Sequence, residues 1–257
     1  MEQHVDRIRA QFTRQADVYA RMRQTTDQKG LDGLVALSGA SSEHRVLDVA
    51  CGPGFLTMTF AARAAHATGF DATDAFLELA RAEAERRRLG NIEFRSGDAE
   101  ALPFPDASFD VVSCRAAFHH FPGPERILGE MCRVARPGAS IVIADMLGSD
   151  DPAKAAYHDH MEQLCDPTHV RAIPDAEFRG LFAAAGLAVR FVGKSALDIR
   201  VDEWIAHGGP SAAVERELYA LIEASLATDL SDLNVRREGG QLTFSHRGAA
   251  FLLARAA

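Results

Sequence analysis

The chain has 257 residues, of which 47% are hydrophobic and 25% are charged, the usual balance of a folded globular protein. No apolar run approaches the roughly 18 residues that a membrane-spanning helix needs. The first residues mix both charge signs and lack the apolar stretch of a signal peptide, so we expect a cytoplasmic protein with no membrane partner. The net charge of −8 argues against a nucleic-acid partner, because a surface that follows phosphates needs a basic excess.

The order of predicted elements indicates an α/β protein. Residues 1–40 have the pattern of amphipathic helices, and from residue 45 onward short apolar runs alternate with helical periodicity. This alternation predicts βαβ units around a parallel sheet. Strands are predicted at 45–49, 67–70, 92–95, 109–114, 140–144, 187–192 and 247–255, and helices at 56–65, 75–89, 124–134, 174–186 and around 204–226.

The turn after the first predicted strand contains Gly52-Pro53-Gly54, and glycine lets the backbone approach a ligand closely because it has no Cβ. A dinucleotide site would show the same turn, but Thr57 stands where such a site has its third glycine. Asp48, at the end of the strand, would repel a pyrophosphate. It suits a ligand that carries an ammonium group.

Acidic residues also follow the next two predicted strands. Asp71 comes 23 residues after Asp48, the spacing of an acceptor for ribose hydroxyls, and Asp98 is placed to accept a hydrogen bond from the amine of adenine. Each alone could be a helix N-cap, but three acids in register after three strands favour one common site. Because converging carboxylates attract a cationic nucleoside, the pattern favours S-adenosylmethionine as the cofactor.

With these residues in view, the chain resembles the class I S-adenosylmethionine-dependent methyltransferases, and among them the type 11 branch that includes ubiquinone and menaquinone biosynthesis enzymes. The resemblance is carried by residues 46–57, 69–71, 97–110 and 133–138. It implies a Rossmann-like α/β fold with a seven-stranded sheet of order 3-2-1-4-5-7-6, the last strand antiparallel, and helices on both faces.

The resemblance also implies roles for individual residues. It assigns the methionine end of the cofactor to the first glycine turn, the ribose to the second strand end and the adenine to the third. The fourth strand end would flank the amino acid moiety through backbone groups, and a tyrosine of the N-terminal helix would close over the cofactor. The cofactor residues implied in this way are Asp48, Gly52, Gly54, Asp71, Asp98, Ala99, Cys114, Arg115 and Tyr19.

His119 and His120 follow the fourth predicted strand, where they would overlook the reacting methyl group. Methyl transfer is an in-line displacement with a good neutral leaving group, so positioning supplies much of the catalysis. A base is needed only if the acceptor must lose a proton. Imidazole titrates near neutral pH, so either histidine could be that catalytic base; alternatively, one of them is a structural hydrogen-bonding group.

Residues 147–173 show no strand pattern and are predicted to form a helical lid over the site. They carry Tyr157, His158, His169 and Arg171, a mixture of aromatic and polar side chains typical of a pocket for a small ligand. We expect these four residues to contact the substrate.

No metal site is predicted. The four cysteines contain no Cys-x-x-Cys pair. His158 and Glu162 share a helical face, but His160 points elsewhere, so ligation by this helix is poorly supported.

We expect one methyltransferase domain, with an N-terminal helical cover at 1–40, a cofactor-binding core at 41–146, a lid insertion at 147–173, and C-terminal helices with the last two strands at 174–257. The expected reaction is methyl transfer to an O, N or C atom of a small-molecule acceptor, by a monomer or homodimer. An RNA or protein methyltransferase, or a non-catalytic S-adenosylmethionine-binding protein, is the alternative. A short-chain NAD oxidoreductase is disfavoured, because no lysine has a tyrosine four residues before it.

Overall fold

A computed structural model describes residues 2–20 and 26–255 of the chain. Within these residues, eight strands form one sheet of order β3-β2-β1-β4-β5-β8-β6, with β7 paired to β8. The strands are β1 (Arg45–Val49), β2 (His66–Asp71), β3 (Ile92–Ser96), β4 (Phe109–Arg115), β5 (Ala135–Met146), β6 (Leu187–Arg200), β7 (Arg236–Glu238) and β8 (Gln241–Arg255). The helices are α1 (Glu2–Tyr19), α2 (Gln28–Ser38), α3 (Phe55–Ala61), α4 (Asp74–Arg86), α5 (Pro124–Val134), α6 (Pro152–Cys165), α7 (Asp175–Ala184), α8 (Val201–Gly208) and α9 (Ala212–Thr228), with a 3-10 helix at Phe118–His120.

The Rossmann-like α/β fold is confirmed, and β1 to β5 pair in parallel as expected. The predicted strand number is wrong by one, because the short β7 forms a hairpin with β8 that the sequence pattern did not reveal. β8 takes the place of the expected seventh strand and runs antiparallel to both β5 and β6.

Successive residues of each strand point to opposite faces of the sheet, and helices bury both faces. Leu47 and Val112 pack with α5 and α7 on one face. Their neighbours Val46 and Val111 pack with α2 and α3 on the other. This two-sided burial explains why the strands are apolar runs rather than alternating ones.

Strands β6 and β8 are much longer than predicted, and their paired outer halves form an arm beyond the parallel sheet. Their register continues from Leu187↔Arg255 to Arg200↔Thr243. A separate apolar cluster covers this arm, built around Trp204 and Phe244 with residues of α6, α8 and α9. The arm was not predicted because its residues are mostly exposed or polar and lack the apolar pattern of a strand. Backbone pairing between β6 and β8 along the whole hairpin forms the arm instead.

The described part of the cover expected at 1–40 includes two helices that lie in different positions. Helix α2 packs on the sheet through Leu31 and Val35, whereas α1 packs on α4 through Phe12 and Phe76. None of the helices in the described part of the chain is long and apolar enough to cross a bilayer.

Gly54 lies at the start of α3 in a left-handed conformation with φ +76°. A Cβ at this position would lie 2.7 Å from the Phe94 ring and 2.9 Å from the Ala80 Cβ. The missing side chain therefore allows α3 to approach α4 and β3.

We predict that Gly54→Ala lowers the free energy of unfolding by about 2–4 kcal/mol, through left-handed strain together with overpacking. Gly129→Ala, in the exposed middle of α5 where a Cβ meets nothing within 4 Å, is the matched control. It should instead stabilise by up to about 1 kcal/mol. Urea denaturation measures both, and equal effects would contradict the packing role of Gly54.

Candidate functional site

The carboxyl ends of β1 to β4 border one cavity, and α1 covers it from the other side. The cavity encloses about 960 Å³ when its open mouth is included. It brings together seven of the residues expected at the cofactor or catalytic site: Tyr19, Gly52, Asp71, Asp98, Ala99, Arg115 and His120.

The loop after β1 is held in an unusual conformation by a carboxylate of β2. Ala50 and Gly52 have φ values of +55° and +54°, and Ala50 is one of the few residues other than glycine in that region. The Gly52 N–H donates to Asp71 Oδ2 at 2.8 Å, and the Thr73 N–H donates to Asp71 Oδ1 at 2.8 Å. Burial raises the pKa of Asp71, against the lowering effect of these two N–H donors.

Asp48 lies beneath this loop rather than in the cavity lining, and it is 1% exposed. Its carboxylate accepts hydrogen bonds from the hydroxyls of Thr57 at 2.7 Å and Ser113 at 2.8 Å. Burial raises the pKa of Asp48 to about 6, although both hydroxyls lower it. Thr57, which replaces the third glycine of a dinucleotide turn, is thus the partner of a buried acid.

The loop after β3 forms the opposite end of the cavity. Gly97 packs against the Phe70 ring so closely that a Cβ would lie 2.5 Å from it. The next residue, Asp98, accepts the Glu100 N–H at 2.9 Å through Oδ1 and lines the cavity with Ala99.

The two adjacent histidines have different environments. His119 turns away from the cavity and donates through Nδ1 to Asp145 at 2.6 Å. Burial disfavours its charged form, but Asp145 outweighs that effect and raises the pKa of His119. His120 lines the cavity, and burial together with the neighbouring His119 lowers the pKa of His120 to about 3.

The tautomer of His120 follows from its partner. Its Nδ1 lies 3.1 Å from the backbone carbonyl oxygen of Thr168, which can only accept a hydrogen bond. The Thr168 hydroxyl, 3.2 Å from the same nitrogen, donates its own proton to Asp166 at 2.6 Å and so acts as an acceptor as well. The proton of the neutral ring therefore resides on Nδ1, and Nε2 carries a lone pair. A neutral imidazole with an available lone pair can accept a proton.

Helix α1 is attached above the cavity at both ends. His4 donates to the His120 carbonyl at 2.8 Å, Arg9 to the Ala72 carbonyl at 3.1 Å, and Gln15 to the Gly208 carbonyl at 3.0 Å. The side of α1 that faces the cavity is largely apolar and includes Phe12, whose ring meets His120 edge-on at 5.3 Å.

Two further residues implied as cofactor ligands lie outside the lining. Cys114 is buried among core side chains, where burial raises the pKa of its thiol well above the usual value. Gly54 faces Phe94 and Ala80, as described above. Any contact between either residue and a ligand in this cavity would have to come through backbone atoms.

The expected lid at 147–173 does not cover the cavity. Tyr157 donates to the Leu221 carbonyl at 2.7 Å, His158 lies against Glu162, His169 bonds Asp159 at 2.9 Å, and Arg171 pairs with Glu177. None of Tyr157, His158, His169 and Arg171 is in the lining. The position of these four residues differs from the expected one because α6 packs on the β6–β8 arm, and that arm was not predicted.

Two parts of the site were not predicted from the sequence: Asp145 and the apolar face of α1. Asp145 accepts hydrogen bonds from the N–H groups of Ala117 at 2.9 Å and Phe118 at 2.7 Å as well as from His119. A signal was present, because Asp145 is an acid at the end of the fifth strand just as Asp48, Asp71 and Asp98 end or follow theirs.

The fold and this edge of the sheet define an enzyme of the Rossmann-like nucleoside-binding class. A family model described as a methyltransferase domain matches residues 40–186. The chain belongs to this methyltransferase family and is an S-adenosylmethionine-dependent methyltransferase, as the resemblance implied.

Two relatives and one solved structure illustrate the similarity. The uncharacterized methyltransferase YcgJ of Bacillus subtilis is 30% identical over 91% of this chain and 93% of its own length. Its crystal structure aligns with a TM-score of 0.83 over 90% of this chain and all of that one. A demethylmenaquinone methyltransferase of Thermus thermophilus is 33% identical over 61% of this chain and 80% of its own length.

The cavity lining fits the cofactor that the family implies. A carboxylate has about four lone-pair sites, so Asp71 can accept from hydroxyls in addition to its two N–H donors. Asp98 adds a second acceptor beside Ala99, and Arg115 supplies a cationic side chain.

We predict that Asp71→Asn weakens the binding of S-adenosylhomocysteine by about 1.5–3 kcal/mol, the range for hydrogen bonds to a charged acceptor. Titration calorimetry measures the affinity, and Asp74→Asn on the exposed first turn of α4 is the control. Equal affinity in the two variants would mean that another residue binds the ribose.

The raised pKa of Asp48 predicts a pH dependence of stability. The folded state binds this proton more tightly than the unfolded state, whose carboxyl keeps the ordinary value of 3.8. The contribution of Asp48 to the unfolding free energy should therefore fall by on the order of 3 kcal/mol between about pH 4 and pH 6, and stay constant above.

Urea unfolding of the native protein and of Asp48→Asn across this range isolates the effect, because the other carboxyls cancel in the difference. A difference that does not change with pH would show that Asp48 titrates normally.

Proposed function

We propose that the protein transfers a methyl group from S-adenosylmethionine to a small organic acceptor with an apolar body and an acidic proton near the atom that is methylated. The observation that carries this proposal is the composition of the cavity. Its floor is made of strand-end polar residues, its roof is the apolar face of α1, and His120 lies between them.

The size and position of the cavity favour a small acceptor. The 960 Å³ of the cavity includes its open mouth, so the enclosed part is much smaller and suits a small organic molecule rather than a polymer. Because α1 is bonded to the loop at His120 and to the end of α8, an RNA or a folded protein would have to displace it. The net charge of −8 also disfavours RNA.

The cofactor would lie along the strand ends. We assign the methionine end to Gly52 and the Arg115 region, with Asp48 acting from beneath the loop, the ribose to Asp71, and the adenine to Asp98 with Ala99. Backbone groups of Gly54 and Cys114 complete the assignment, and Tyr19 would close over it. When bound, S-adenosylmethionine supplies an electrophilic methyl group.

His120 is the base in this proposal. Thr168 holds its Nδ1 proton, so Nε2 of the neutral ring carries the lone pair that would take the proton released by the acceptor. Burial lowers the pKa of His120, which keeps the ring neutral but also weakens it as a base, so the arrangement suits an acceptor whose own proton is acidic. His119 is a positioning residue: its ion pair with Asp145 orients the 3-10 helix that carries both rings. The apolar side chains of α1 would exclude water from the reacting atoms.

The relatives suggest a class of acceptor. Proteins named demethylmenaquinone methyltransferase match 61% and 41% of this chain at 33% and 42% identity. A hydroquinone combines an apolar ring system with acidic hydroxyls and a nucleophilic ring carbon, which suits an apolar roof and a neutral histidine. We propose acceptors of this chemical class, with a cytoplasmic monomer or homodimer as expected from the sequence.

A radiolabel transfer assay tests the function. The purified protein is given labelled S-adenosylmethionine with 1,4-naphthohydroquinone, catechol, total RNA or unfolded protein. Transfer to one of the phenolic probes is expected. Transfer to RNA or protein alone would overturn the acceptor class, and cofactor binding without any transfer would favour the non-catalytic alternative.

We predict that His120→Gln lowers kcat by about 100-fold or more, the usual contribution of a general base. S-adenosylhomocysteine should bind within about threefold of its native affinity, since the ring accepts a proton rather than holding the cofactor. His160→Gln, on the exposed side of α6, is the control. Native turnover in His120→Gln would mean that positioning alone suffices.

A further inference from the structure

A cluster of three potential metal ligands lies at the junction of α6 and β8. His158 and Glu162 are one helical turn apart on α6, and His246 reaches them from β8. One nitrogen of each histidine and one carboxylate oxygen of Glu162 all lie within 4.8 Å of one another.

The two distances from Glu162 to the histidines are close to those of a coordination sphere. In a tetrahedral site with bonds of about 2.0–2.1 Å, neighbouring ligand atoms lie about 3.3 Å apart. His158 Nε2 and Glu162 Oε1 are 3.4 Å apart. His246 Nε2 and Glu162 Oε1 are 2.7 Å apart and would separate by about half an ångström around an ion.

The cluster is buried in an apolar environment. His158 is 2% exposed and Glu162 is 6% exposed, and the apolar core that includes Met161 and Phe244 surrounds them. His158 Nε2 lies 3.4 Å from Glu162 Oε1 but makes no hydrogen bond to any residue that the structure describes. A buried polar atom without a partner costs free energy, so this nitrogen requires an explanation.

We infer that His158, Glu162 and His246 bind one divalent transition-metal ion of the zinc class. An ion at their centre would use the unpartnered nitrogen of His158, and it would replace the proton between His246 and Glu162.

The donor set indicates the class of ion. Two imidazoles and one carboxylate match sites for Zn²⁺ and for Fe²⁺ or Co²⁺, whereas Mg²⁺ and Ca²⁺ prefer oxygen ligands throughout. Three protein ligands leave one tetrahedral position for a water molecule.

The position of the cluster indicates a structural role. None of the three residues lines the cofactor cavity. Helix α6 leads into the segment in which the Val170 N–H donates to the His119 carbonyl at 2.8 Å and the Thr168 carbonyl accepts from His120. An ion that joins α6 to β8 would therefore hold the support of the catalytic loop against the β6–β8 arm.

The sequence could not reveal this site, because His246 is 84 residues from Glu162. On α6 itself only His158 and Glu162 share a face, and the third ligand comes from β8. The rival interpretation is a metal-free ion pair between His246 and Glu162, and it predicts no specific metal affinity.

Metal binding by the full-length, tag-free chain tests the inference. After chelation and dialysis, the protein is titrated with Zn²⁺ by calorimetry and with Co²⁺ by visible absorption. We expect one ion per chain, a Co²⁺ spectrum of a low-coordinate site, and a rise in Tm with Zn²⁺.

Matched histidine variants locate the site. His246→Gln and His158→Gln should each weaken Zn²⁺ binding at least about 100-fold, because each removes one of three ligands. His160→Gln, on the exposed face of the same helix, should bind as the native protein does. Circular dichroism establishes that each variant is folded.

Three results would overturn the inference: no saturable binding by the native chain, native affinity in both folded ligand variants, or loss of binding in His160→Gln. The measurements on the native chain decide the matter even if a ligand variant fails to fold. They need no cofactor or acceptor, so their outcome is independent of the proposed methyl transfer.

Discussion

Buried carboxylates at the ends of the parallel strands hold together the loops that border the cavity. Asp71 accepts N–H donors from two loops, and Asp145 accepts the Ala117 and Phe118 N–H groups together with the His119 ring. A buried N–H without an acceptor costs about 1–3 kcal/mol, so these loops depend on the acids. Of these carboxylates Asp71 also borders the cavity, where a negative charge favours a cationic ligand.

Helix α1, on the other side of the cavity, is held in place mainly by apolar packing rather than by charge. Helix α1 contributes Phe12, which contacts Phe76 of α4 and His120 at ring distances of 5.6 and 5.3 Å. Its few polar bonds go to backbone carbonyls of the surrounding loops. An apolar roof attached at its ends can separate from a polar floor without breaking the sheet, which suits a cover that must admit a substrate.

Because α6 packs on the β6–β8 arm, residues that are distant in sequence contact the loop after β4. Helix α6 packs on this arm, and the segment after α6 supplies the Thr168 carbonyl that sets the tautomer of His120. The segment expected as a lid instead supports the loop after β4 from behind. His158 and His169 are buried within it, and the metal ion inferred at His158 would connect α6 to β8.

The sequence by itself determined the parallel sheet, its first five strands, the glycine turn and the acids that follow the strands. Each of these features depends on residues that are close together in the sequence: an apolar run, the turn residues that follow it and the acid at the strand end. Such patterns were sufficient to predict Gly52, Asp71, Asp98 and His120, all of which border the cavity.

Only the tertiary structure decided which of two adjacent histidines faces the cavity, that α1 covers it, and that Tyr157, His158, His169 and Arg171 lie elsewhere. The direction of a side chain at a loop depends on the partner that satisfies it, and those partners come from far along the chain. Asp145 is 26 residues from His119, and Thr168 is 48 residues from His120. A hydrogen bond between residues so far apart produces no local pattern in the sequence. The folded structure is therefore needed to identify it.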